Sequence, residues 1–63
     1  MKELVARNPK QLDICLRLLY AESVEFVVNV RETNKRKIYY AIQVVADDQR
    51  MAELDEKYRI LIS

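Results

Sequence analysis

Val24-Glu25-Phe26-Val27-Val28-Asn29-Val30 and Lys37-Ile38-Tyr39-Tyr40-Ala41-Ile42-Gln43-Val44-Val45 lie on either side of one short polar segment, and both alternate apolar and polar residues. Successive side chains on a strand point to opposite faces, so a period of two marks a strand with one buried face. The pair reads as a β-hairpin. Val24, Phe26, Val28 and Val30 share a face of the first strand, and Ile38, Tyr40, Ile42 and Val44 share a face of the second. Same-face residues pair across an antiparallel ladder. Placing Val30 opposite Ile38 centres the turn on Asn34, a residue type that tolerates positive φ.

Outward from the hairpin the spacing changes to that of helices. Asn8-Pro9-Lys10-Gln11 is a helix start, with Asn8 as cap, Pro9 in the first helical position and Gln11 where a capping-box partner belongs. Leu12, Cys15, Leu16 and Leu19 then recur at i, i+3, i+4 and i+7, one core-facing stripe of a helix running to about Glu22. Ile14 and Leu18 widen that stripe on one flank and Tyr20 on the other. On the far side of the hairpin, Asp47 or Asp48 caps a second helix, with Met51, Leu54 and Tyr58 as its apolar stripe. Leu4-Val5-Ala6 reads as a short first strand and Arg59-Ile60-Leu61-Ile62 as a β-branched last one.

The resulting order, βαββαβ, fits one four-stranded antiparallel sheet with two helices on one face and right-handed crossovers. This α+β layout is the ferredoxin-like arrangement. It predicts that the first and third strands are central. The layout resembles several ferredoxin-like families, whose site motifs are absent here. Heavy-metal-carrying domains place two cysteines in the loop before the first helix, where this chain has Arg7-Asn8-Pro9-Lys10. Effector-sensing domains of the ACT type place a glycine there, and this chain has no glycine at all. RNA-recognition motifs carry stacking aromatics on both central strands, and the first strand, from Lys2 to Arg7, has none. The resemblance is one of layout, and it names no family.

Length and composition bound what such a domain can do. At 63 residues the chain is a single domain, and domains of this size bury only about 60% of the surface their unfolded chains expose. Cys15 is the only cysteine and histidine is lacking, so neither an internal disulfide nor a Cys/His zinc site can compensate. With 51% apolar residues, self-association is the remedy left, and a homodimer is expected. Eleven basic and ten acidic residues give no general attraction to nucleic acid or to anionic membrane. Phosphate loops of the P-loop or Rossmann type need glycine, so no cofactor of that kind is expected. The first residues, from Met1 to Arg7, lack the apolar core of a signal peptide, and no window is apolar enough to span a membrane. A lone thiol fits a cytoplasmic setting.

Four features could carry chemistry. Cys15 sits inside an apolar stripe without a histidine to activate it, and reads as a small core hydrophobe. Asp48, Glu53, Asp55 and Glu56 diverge around the second helix and read as a solvated face, without the facing carboxylates that acid–base catalysis needs. With no histidine, a hydrolase triad cannot form, so the chain reads as non-enzymatic. Arg31, Lys35, Arg36 and Lys37 cluster at the hairpin tip beside Tyr39, a set that could hold phosphates while the ring stacks on an unpaired base. Solvated charge at a hairpin tip is the commoner meaning. Lastly, Val27, Tyr39, Ala41 and Val45 fall on the sheet face away from the helices, and an exposed apolar strip of that kind marks an interface. The sequence therefore favours an interaction or regulatory module, dimerising through the outer sheet face or a strand edge and binding a protein partner. The alternative is a weak binder of single-stranded nucleic acid or RNA through the hairpin tip.

Overall fold

The computed structural model describes residues 3–63; Met1 and Lys2, the latter assigned above to the first strand, lie outside the described residues. Five elements follow one another: β1 (Glu3–Ala6), α1 (Pro9–Ala21), β2 (Phe26–Glu32), β3 (Ile38–Val44) and α2 (Asp48–Ile62). The three strands form one antiparallel sheet in the order β1-β3-β2.

This corrects the four-stranded ferredoxin-like expectation: the fold is α+β with the order βαββα. Arg59-Ile60-Leu61-Ile62 continues α2. The reason is local and tertiary at once. Between Asp48 and Ile62 there is neither proline nor glycine to stop the helix. Asp55 and Arg59 pair at 3.2 Å across one turn, and Ile62 extends the Leu54–Tyr58 stripe to pack against the core. β-branched residues favour strands only where a sheet surface receives them. Without a fourth strand, β1 becomes an edge and only β3 is central.

Both helices start where the sequence places them. Asn8 accepts a hydrogen bond from Gln11 N at 2.8 Å and Asp47 accepts one from Arg50 N at 2.8 Å. Gln11 Oε1 reaches back to Arg7 N, one residue before the cap, at 3.0 Å. α1 ends in a Schellman motif: Val24 N donates to Leu19 O and Ser23 N to Tyr20 O. Ser23 occupies the left-handed position, φ 56°, that glycine usually fills.

The hairpin register differs from the expected one by two residues, with Val30 opposite Tyr40 and Glu32 opposite Ile38. Arg36 N donates to Thr33 O at 3.0 Å and Thr33 N to Lys37 O at 2.9 Å, while Arg36 has φ 60°. That is a three-residue loop ending in a left-handed bulge residue, a pattern that moves the turn centre from Asn34 to Lys35. Thr33 Oγ1 accepts from Lys35 N and Lys37 N and holds the loop in place. Because the shift is even, every side chain keeps its face.

Leu4, Ala6, Cys15, Leu19, Ile42, Val44, Met51, Leu54 and Tyr58 form the buried core, with Phe26, Val28 and Tyr40 packed against it. Ile14 and Leu18 join this core and so broaden α1 for intrachain packing. The end of α1 is tied to α2 by charge: Glu22 lies 2.6 Å from Lys57 Nζ and 3.3 Å from Arg50 Nη1, and Arg50 Nη2 donates to Glu22 O at 3.3 Å. The hydrogen bond from Lys57 is the main cause that holds the Glu22 carboxyl below its ordinary pKa; burial opposes it, and the charges of Lys57 and Arg50 add to the lowering. The hairpin overhangs the helices, leaving the core-face residues Val30 and Ile38 66% and 59% exposed.

Candidate protein-interaction surface

The sheet has two edges, and they are finished differently. Val45 N donates to Glu25 O and Thr33 N to Lys37 O, both at 2.9 Å. These bonds fix the phase of the ladder: odd-numbered residues of β2 bond to β3, and even-numbered residues of β3 bond to β1. The outward groups of β1 therefore belong to Glu3, Val5 and, past the strand end, Arg7. Tyr58 Oη–H donates to Val5 O at 2.9 Å, and Gln11 Oε1 takes Arg7 N–H. The rim of β1 is thus capped in part, at Val5 C=O and Arg7 N–H, by one side chain from each helix. On β2, the N–H and C=O groups of Phe26, Val28, Val30 and Glu32 point away from β3, and no hydrogen bond among the described residues reaches them. β2 is seven residues long and carries neither proline nor lysine, two common means of blunting an edge.

The outer face is less uniform than an apolar strip. Val27 and Val45 are 56% and 61% exposed, and Val5 lies on the same face on the far side of β3. Tyr39 faces outward and is half-buried. Ala41 also lies outside the core cluster, yet it is 1% exposed. The cause is visible in the register: Arg31 sits opposite Tyr39, Glu3 opposite Gln43, and their 3.5 Å ion pair crosses β3 over the row of Ala41. The strip expected from Val27, Tyr39, Ala41 and Val45 is therefore split by a polar bridge. No sequence pattern foretells that bridge, because it joins positions 28 residues apart.

Of the basic cluster, Lys35, Arg36 and Lys37 stand exposed in the loop, while Arg31 is turned toward Glu3. The structure adds Arg7, which sequence reasoning left out. Val5, Arg7, Thr33, Lys37, Ile38 and Tyr39 line one shallow concavity of about 380 Å³. Cys15 is fully buried, and burial pushes its thiol up to about 11. Burial, and secondarily the neighbouring Cys15, also raises Tyr58. Among the described residues no group of three or more His, Cys, Asp or Glu side chains could hold a metal ion, and no helix is long and apolar enough to cross a membrane. Compared with protein-family models, curated proteins and solved structures, the chain matches none.

Proposed function

We propose that this protein is a non-catalytic interaction module that assembles through its sheet, with the open rim of β2 as the point of attachment. The observation that carries this reading is the contrast between the two edges: side chains from both helices take two of the outward groups along β1, and among the described residues no hydrogen bond reaches the outward groups of Phe26, Val28, Val30 and Glu32. An edge of this kind accepts another extended strand through main-chain hydrogen bonds, with alternate side chains giving selectivity. Absence of histidine and the raised thiol of Cys15 weigh against nucleophilic chemistry. Sedimentation velocity on the full chain tests the reading. Reversible association at tens of micromolar is expected, and a strict monomer there overturns self-assembly as its mode of action.

The concavity at the hairpin tip favours one second reading. Arg7 and Lys37 line it together with Tyr39 and Val5, and two cations sharing a concavity with an aromatic ring suit an unpaired nucleotide. Anisotropy of a labelled single-stranded oligonucleotide at low salt checks it, and a flat titration removes it.

A further inference from the structure

We infer that the strand received by β2 is the β2 of a second copy, running antiparallel with Val28 on the two-fold axis. This rests on the interaction-module reading above and specifies its partner and register.

Antiparallel pairing at an edge places the two-fold perpendicular to the sheet, so the copies join into one continuous sheet with all helices on the same side. The available axes can be compared residue by residue. With Val28 on the axis, Phe26 lies opposite the second copy's Val30 on the helix face, covering the largely exposed Val30. On the outer face, Glu25 then lies opposite the second copy's Arg31, and symmetry repeats this pair. Both contacts use residues whose faces the ladder already fixes. Placing Asn29 on the axis instead sets Val27 against Arg31 and leaves Glu25 against Thr33. Placing Val30 there sets Val28 against Glu32. Of these three axes only the one on Val28 sets opposite charges against each other, with Phe26 against Val30 on the other face; it also brings Val24, just ahead of β2, to face the second copy's Glu32.

The two charges are available for it. Glu25 is exposed and forms no ion pair among the described residues. Arg31 is held by Glu3 only through a 3.5 Å contact with its side chain 46% exposed, an attachment weak enough to exchange. Val28 N–H points outward, so the central pair exchanges two main-chain hydrogen bonds across the axis.

Charge reversal gives a test specific to this register. Glu25→Arg alone sets like charges against Arg31, and Arg31→Glu alone sets them against Glu25, twice per dimer in each case. Each variant should weaken self-association about tenfold or more while remaining folded by circular dichroism. An equimolar mixture of the two variants pairs arginines on one chain with glutamates on the other, and association should return to near the parent level. The double variant should recover likewise. Val28→Pro removes the outward N–H without touching the β3 ladder, and should abolish dimers. If the parent chain dimerises but the single charge variants do so equally well, or their mixture gains nothing, this register is wrong and the wider reading stands. A parent chain that stays monomeric overturns both.

Discussion

The hydroxyl of Tyr58, late in α2, donates to the carbonyl of Val5 on the outer rim of β1 at 2.9 Å. A helix side chain thus meets a main-chain group that a fourth strand would otherwise bond. The two residues lie 53 positions apart, and their contact occupies one outward group on the rim of β1, whereas among the described residues no hydrogen bond reaches the outward groups of β2. Tyr58→Phe keeps the ring in the core and leaves that carbonyl without its donor. The expected cost is about 1 kcal/mol in denaturant unfolding, or roughly 4–8 °C in Tm for a domain of this size. An unchanged midpoint would show that water satisfies Val5 as well as Tyr58 does.

Ser23 occupies a left-handed backbone position in a chain with no glycine. That conformation costs an L-residue roughly 1–2 kcal/mol. Ser23→Gly should raise stability by about 1 kcal/mol, whereas Ser23→Ala, which retains the Cβ, should not. Thermal melts of the two variants side by side separate relief of backbone strain from a general effect of losing the hydroxyl.

Glu22 joins the end of α1 to Arg50 and Lys57 of α2. Its pKa is lowered in the fold, first by the hydrogen bond from Lys57. The unfolded chain therefore takes up this proton more readily than the folded one. The contribution is complete above the ordinary glutamate value of about 4.3 and disappears as pH falls through the lower folded value. Urea midpoints of the parent and Glu22→Gln should differ at neutral pH and converge in acid. Parallel curves across the whole range would exclude this linkage.

Cys15 is inaccessible, with its thiol pushed up to about 11. At neutral pH almost none is thiolate, the form that reacts. Iodoacetamide should modify the folded protein negligibly and the urea-unfolded protein readily. Rapid labelling of the native state would overturn the placement of Cys15 in the core.

Much of the architecture was legible because it is encoded locally. Asn8 and Asp47 cap as their types suggest, and period two separates Ile42 from Tyr39 without knowledge of any neighbour. The hairpin register was harder, because it depends on Arg36 accepting a positive φ, a role that arginine does not advertise. In the candidate surface, Val27, Val45 and the exposed loop cations were readable from alternation and charge. Ala41 was not, because the Arg31–Glu3 bridge that hides it spans two strand pairings. Nor was Arg7, which reaches the hairpin tip only through the pairing of β1 with β3.

The last four residues of α2 mark the boundary most clearly. Arg59-Ile60-Leu61-Ile62 carries strand-forming side chains, and by propensity alone either conformation is open to it. By itself the sequence determined which residues are apolar, where helices begin and which side chains share a face, because sterics and short-range hydrogen bonds decide those. Only the tertiary structure decided that residues 59–62 continue a helix, that Tyr58 takes a carbonyl on the rim of β1 and that the outward groups of β2 stay without a partner among the described residues. Each of those outcomes requires two distant segments to meet, and a strand is stable only where another strand's unpaired groups await it.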